Sequence, residues 1–250
     1  MRRNQNSGQI LLVAAFIMAS LLLSAQLYVL DVGKTSGEMN SDSLNDFMLS
    51  VKLGCGHVVA GSLASISNGG PSSLLELNLR EWAEFMSSQH LGRKNVLNFT
   101  LEETAPYSSG VWLFWGTNGY GASSAYVDFA HTLAGRDADV DMAYSINVTT
   151  ALLISSTSRM LNETARQINI TIKVLNEAGP ALATQVTVYY NISGTWQIPD
   201  INNYTFLDYG NGTYLASFTA AAPTPELEVS IHATDFRGVY VQANVTSTEV

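Results

Sequence analysis

Cysteine is nearly absent. Cys55 is the only one in 250 residues, which excludes an internal disulfide framework and leaves apolar burial to hold any folded part together. Basic residues are scarce: 12 Lys plus Arg stand against 21 Asp plus Glu, a net charge of −9. Neutralising nucleic-acid phosphates needs clustered Lys and Arg, and Arg93-Lys94 is the only adjacent pair beyond the N-terminus, so no nucleic-acid partner is expected. The four histidines, His57, His90, His131 and His232, are scattered, with no pair at i, i+4. A zinc site needs three or four converging ligands, and none is expected here. Cys55 and His57 are two apart on a predicted helix, so their side chains diverge by about 200° and cannot form a nucleophile–base pair. Asp137, Asp139 and Asp141 alternate as a calcium loop would. The places that such a loop gives to Gly and Glu hold Met142 and Val148 instead, which makes this a solvated strand entry. No Gly-x-Ser-x-Gly, Walker-type or dinucleotide Gly motif occurs. The chain is therefore expected to be non-enzymatic, with no metal and no cofactor.

What the chain does have is a run of 22 residues without a charge, Gln9–Leu30. As a helix it would be about 33 Å long, enough to cross the ~30 Å hydrocarbon core of a bilayer. Arg2 and Arg3 precede it, while Asp31, Lys34 and Glu38 follow. Lys and Arg are retained inside, so the expected topology is single-pass, with the N-terminus cytoplasmic and the rest extracellular. A cleaved secretory signal fits less well. The run exceeds the 7–15 residues of a signal core, and Leu23 stands where a small residue should precede Ser24-Ala25.

The leader is short, basic and polar, ends in Ser7-Gly8, and is followed by Gln9 and the apolar run. It resembles the class III signal of archaeal type IV pilin-like proteins. That resemblance implies cleavage after Gly8, a mature N-terminus at Gln9, and retention of the helix as membrane anchor or filament core. It also implies the lipid bilayer, further copies of the chain, and pilus or envelope proteins as partners. Two positions depart from the pattern: Ser7 stands where a charged residue is usual, and Val13 where many bacterial relatives carry Glu. An ordinary uncleaved anchor is the alternative reading.

Asn-x-Ser/Thr occurs at Asn98, Asn147, Asn162, Asn169, Asn191, Asn203, Asn211 and Asn244, where chance would give about three such sequons. None precedes Asn98. All eight are glycosylation candidates, and each would have to face solvent.

The pattern along the chain predicts an α+β protein: a transmembrane helix, two amphipathic helices with an antiparallel sheet, then an all-β segment. The expected divisions are a leader at 1–8, the span at 9–30, a membrane-proximal α+β domain at 31–160 and a β-domain at 161–250. Gly33 and Gly37 mark a linker. Leu44, Phe47, Met48, Val51, Cys55, Val58, Val59, Ser62 and Ile66 form one helical stripe that ends at Asn68-Gly69-Gly70-Pro71. Ser73 and Glu76 have the spacing of a capping box for a second helix, which carries Leu75, Leu79, Trp82 and Met86. From Asn95 the period becomes two. Strands are predicted at Gly110–Gly116, Ser124–Leu133 and Val140–Ser155, then at Ile168–Val174, Gln185–Tyr190, Tyr204–Leu207, Thr213–Thr219, Leu227–Thr234 and Val239–Val245. The last six, with turns at Glu177–Pro180, Tyr209–Gly212, Pro223–Pro225 and Arg237-Gly238, suggest an immunoglobulin-like β-sandwich. Their order, with Ala233-Thr234-Asp235 and then Gly238 entering the last strand, resembles the immunoglobulin-like modules of bacterial and archaeal surface proteins.

One stretch stands out as a contact surface. Trp112 and Phe114 would face one way from a strand and Trp115 the other, with Tyr107 and Tyr120 nearby. Aromatics flanked by Gly and Ser can contact carbohydrate or protein, so a glycan or other polymer is a further candidate partner. The alternative is that these rings fill the core.

Overall fold

The computed structural model describes residues 41–89, 94–134, 139–222 and 226–250, with side chains from Asn45 onward. Gly8, Gln9, the apolar run Gln9–Leu30, the Gly33–Gly37 linker and Asp137 lie outside the described residues. The chain divides into two compact units, 1–52 and 53–250. The described architecture is α+β and mostly β, with two helices and two largely antiparallel sheets.

Helix α1 spans Ser41–Ser67 and ends at the predicted breaker. Gly69 takes a φ of +96°, and the amides of Gly69 and Gly70 close on the carbonyls of Ile66 and Ser65, so the chain reverses at a residue that needs no Cβ. Its portion Asn45–Ser67 is the one helix, among the described residues, long and apolar enough to cross a membrane. In the second unit it carries a buried stripe of Cys55, Val59, Ser62, Leu63 and Ile66. Helix α2 spans Leu74–Ser88 and buries Leu75, Leu79 and Met86. The expected capping box does not form. Ser73 is already helical (φ −65°, ψ −12°) and its side chain makes no cap bond. The chain turns earlier, with Leu74 N–H donating to Pro71, whereas an N-cap needs extended backbone. Glu76 is left to pair with Arg80 one turn on.

The helices meet where Gly54 lets the Trp82 indole lie against the backbone; a Cβ there would sit 2.4 Å from Trp82 Cζ2. Trp82 Nε1 and Tyr144 Oη both point at Cys55 Sγ from 3.3 Å, so the lone thiol is a packed acceptor rather than an open nucleophile.

The strands are β1 Lys94–Leu101, β2 Val111–Trp115, β3 Tyr120–Ala134, β4 Asp139–Asn162, β5 Ala165–Asn176, β6 Gly179–Pro180, β7 Ala183–Ile192, β8 Thr195–Gln197, β9 Tyr204–Asp208, β10 Thr213–Ala220, β11 Glu228–Asp235, β12 Tyr240–Thr246 and β13 Thr248–Glu249. A nine-stranded sheet runs β1-β3-β4-β5-β10-β9, with β2 beside β1 on the same edge of β3, β6 on β5 and β13 on β4. A four-stranded sheet runs β12-β11-β7-β8. The 24-residue β4 joins both regions of the first sheet. It pairs with β3 from Asp139 to Leu153 and with β5 from Thr150 to Asn162. The division expected at 160/161 falls at the tip of the β4–β5 hairpin, within this sheet and within the unit 53–250. Strands β5, β9 and β10 belong to the same sheet as β1, β3 and β4.

Alternation on these strands builds the core. Ile168, Ile170, Ile172 and Val174 of β5 point inward against Val229, Ile231 and Ala233 of β11 and Val241 and Ala243 of β12, while Asn169 and Lys173 face out. Each buried aliphatic side chain contributes roughly 1.5–3 kcal/mol. A second buried group carries Leu97, Val127, Phe129 and Leu133, with Phe129 stacked on Tyr144 at 5.3 Å. The two sheets are also joined at a corner. Gly119 N–H donates to Asn244 O, Asn244 N–H to Gly116 O, and Ile154 N–H to Gly119 O. A Cβ on Gly121 would lie 2.0 Å from Gln242 O, and one on Gly119 2.3 Å from Ile154 O, so only glycine admits this approach.

Candidate contact surface

The corner fixes the aromatic stretch. β2 pairs with β3 from Val111↔Ala125 to Trp115↔Gly121, so alternate residues of β2 divide between the two faces of the sheet. Trp112 and Phe114 share the outer face, with ring centroids 6.1 Å apart. Trp115 turns the other way, to an edge contact with Tyr240 at 5.2 Å and a hydrogen bond to Ser123 Oγ at 3.4 Å. The opposed facing predicted from the alternation is what the structure has. These rings are not core residues: Trp112 is half-buried, and Leu113, Phe114 and Trp115 are 38–45 % exposed.

On the outer face the rings form a row, Tyr126–Tyr107–Trp112–Phe114–Tyr120, with successive centroids 5.9, 6.3, 6.1 and 6.0 Å apart. Tyr107 comes from the loop before β2. That loop is held by Glu102, which accepts from Thr104 N–H at 2.6 Å, and by Glu103, which accepts from Ser109 N–H at 3.1 Å. The hydrogen bonds from Thr104 hold the Glu102 carboxyl below its ordinary range. Under the row lies a hydroxyl–amide network. Tyr107 Oη and Ser124 Oγ share a bond of 3.0 Å and Ser124 and Thr149 one of 2.6 Å, and the hydroxyl of that pair left to donate reaches Asn147 Oδ1, which lies 3.1 Å from Ser124 and 3.0 Å from Thr149. On the other side, Trp115 leads through Tyr240 to His232 (5.6 Å) and Tyr189 (4.6 Å from His232) across the exposed face of the four-stranded sheet. The sequence alone gives no signal for Tyr126, Tyr189 or Tyr240, and shows His232 only as one of four scattered histidines. Each is one residue of a strand (Tyr189 has Tyr190 beside it), and only cross-strand register brings it to a row.

The remaining residues with chemical potential are structural. Asp235 is fully buried and its carboxylate accepts five hydrogen bonds: from the amides of Arg237 (2.8 Å) and Val239 (2.9 Å), from Thr150 Oγ1 (2.9 Å), from Asn176 Nδ2 (3.0 Å) and from Arg237 Nε (2.8 Å). Arg237 continues to Glu177 and to the Thr149 carbonyl. This network locks the β11–β12 turn onto β4 and β5. His131 is buried with Nε2 2.7 Å from Asn95 Oδ1. Because Asn95 Nδ2 donates to Met86 O, its Oδ1 is the acceptor and His131 Nε2 carries the proton. Burial holds both His131 and His232 below the ordinary imidazole pKa. Among the described residues no group of three or more His, Cys, Asp or Glu side chains could hold a metal.

The sequons divide by environment. Asn98, Asn147, Asn162, Asn169, Asn203 and Asn211 are exposed; the first four sit on strands of the nine-stranded sheet, Asn203 ends a short 3-10 helix leading into β9, and Asn211 lies in the turn before β10. Asn191 and Asn244 are half-buried on the four-stranded sheet. No protein-family model matches the chain, and none of the curated proteins matches it either.

Proposed function

We propose that the protein is a non-enzymatic, membrane-anchored cell-surface subunit, pilin-like or adhesin-like, that works through contacts rather than chemistry. The observation that carries this reading is the two-sided aromatic edge around Trp112 and Trp115. Large apolar rings stay exposed there on a hydrogen-bonded sheet, which costs hydration free energy that a partner contact recovers. The uncharged run Gln9–Leu30 supplies the anchor or, if the chain assembles into filaments, the helix that packs on copies of itself. The N-terminus is then cytoplasmic, and the sequons belong to the extracellular part. The two faces formed by β5 to β12 are read as an immunoglobulin-like module fused to the preceding strands through β4. In the filament version the mature chain begins at Gln9. N-terminal mass spectrometry of surface filaments tests this, and an intact Met1–Gly8 leader there rejects it. Recovery of the full-length native protein as a sugar-free soluble monomer from cytosol rejects the surface reading as a whole.

A second reading, a tethered carbohydrate- or polymer-binding module, is favoured by the make-up of the outer row. Its stacked rings are bordered by the exposed Asn147 amide and the half-buried Thr149 hydroxyl, a neutral polar margin suited to sugar C–H faces and hydroxyls. On this reading Trp112→Ala abolishes glycan binding with the fold intact. Collapse of the fold instead makes Trp112 a packing residue.

A further inference from the structure

The outer row begins beside a sequon. We infer that Asn147 is N-glycosylated and that its first sugars lie across Tyr126, Tyr107 and Trp112, so that the carbohydrate seated on the row is the chain's own. This rests on the reading of these residues as extracellular and narrows the second reading above from free glycan to an attached one.

Three observations bear on Asn147; the held Oδ1 is shared by Asn162, Asn169 and Asn211, and the place beside the row is its own. It is directly opposite Tyr126 in the β3–β4 register and exposed on the same face. Residues so paired have Cβ atoms about 4.5–5.5 Å apart, so a sugar on Asn147 starts against the Tyr126 ring. Next, the amide is oriented for modification. Its Oδ1 lies 3.1 Å from Ser124 Oγ and 3.0 Å from Thr149 Oγ1 and accepts from whichever of the two hydroxyls does not donate to the other, and Thr149 is also the sequon's own hydroxyl residue. With the oxygen turned into that network, Nδ2 points away from it, and Nδ2 is the atom that takes the sugar. Finally, the same network reaches Tyr107 through Ser124, so the residue carrying the sugar and the rings receiving it form one hydrogen-bonded unit. Asn191 is the internal contrast. Its Nδ2 donates to Glu228 Oε2 at 3.0 Å, its Oδ1 is buried, and it lines a cleft with Glu226 and Leu227. A sugar there would have to enter that cleft on a nitrogen already turned to Glu228, so Asn191 is expected to stay bare.

The covalent step is transfer from a lipid-pyrophosphate-linked oligosaccharide, the donor class that the host must supply. The donor's C1–O bond breaks and an N–C1 bond forms at Asn147 Nδ2. The amide gives up one proton, and the lipid pyrophosphate leaves with the bonding pair.

The test uses the full-length protein purified from its native membranes. Cleavage after Arg136 and Arg159 releases a peptide whose only sequon is Asn147, and its mass reads occupancy directly. The expected result is a glycan on this peptide and none on Asn191. Thermal midpoints of wild type, Asn147→Gln, Trp112→Ala and the double variant then form a cycle. Asn147→Gln should lower the midpoint when Trp112 is present and much less when it is absent, and this coupling should vanish in protein from a host without N-glycosylation. If Trp112→Ala does not fold, Tyr126→Thr on the exposed row takes its place. A bare Asn147 beside other occupied sequons overturns the inference, as do purely additive shifts with Asn147 occupied. A protein with no sugar at any sequon and found in the cytosol fails the surface reading itself, a distinct outcome.

Discussion

Replacing Asp235 by Ala removes one side chain and strands several groups at once. The carboxylate is wholly buried and accepts two backbone amides, a threonine hydroxyl, an asparagine amide and the Arg237 Nε. Water cannot replace it without opening the β11–β12 turn. Thr150 can rotate its hydroxyl, and Arg237 keeps Glu177 and the Thr149 carbonyl, so part of the loss is recovered. The Val239 amide and Asn176 Nδ2 lose the carboxylate that accepts from them. Removing one partner of a buried charged network costs about 3–5 kcal/mol. For a unit of this size each kcal/mol lowers Tm by roughly 2–4 °C, so Asp235→Ala should lower it by roughly 6–20 °C. Asp235→Asn should fall between Ala and wild type. It keeps an acceptor for the two backbone amides but turns an NH₂ toward donors. Asp208→Ala is the control. That carboxylate is exposed and accepts from the Gly210 amide, a turn bond worth about 1 kcal/mol or less. The assay is thermal unfolding of the detergent-solubilised full chain followed by circular dichroism. A loss for Asp235→Ala no larger than that of Asp208→Ala would refute the claim that this network fastens the turn to the sheet.

Two further outcomes follow from the same geometry. Gly121→Ala puts a methyl 2.0 Å from the Gln242 carbonyl, so β12 must move off the corner; the check is hydrogen exchange, with faster exchange expected at Gly119 and Asn244, whose amides bridge the sheets. His131 and His232 have pKa values lowered by burial, so the folded state favours their neutral forms. Their contribution is therefore complete above the ordinary imidazole value of about 6.5 and declines as pH falls from there through the lowered folded values. Denaturation midpoints measured between pH 8 and 5 should drop on the acid side, and His131→Gln should flatten that drop; an unchanged slope would remove His131 as its source.

Much of the β-structure is legible locally. Strand alternation gives the faces of β4 and the opposed directions of Trp112 and Trp115, because a period of two is a property of extended backbone whatever it pairs with. Asn68-Gly69-Gly70-Pro71 ends a helix because Pro and Gly act through their own φ and ψ. The capping box at Ser73 fails for a matching reason: its sequence spacing is present, but the preceding turn has already made Ser73 helical. The position 160/161, expected as a division, lies at the tip of the long β4–β5 hairpin, a pairing that the sequence alone does not display.

By itself, then, the sequence determined the periodicities, the breakers, the uncharged run and the disulfide-free character of the chain. Each of these is set by neighbours a few residues apart or by composition. Only tertiary structure decided that β4 unites the two halves, that Asp235 is a buried lock, that lone tyrosines on separate strands meet in rows, and that Asn147 is turned outward beside one of them while Asn191 is tied to Glu228. These follow from register between segments tens of residues apart, and a one-residue slip would send every such side chain to the opposite face.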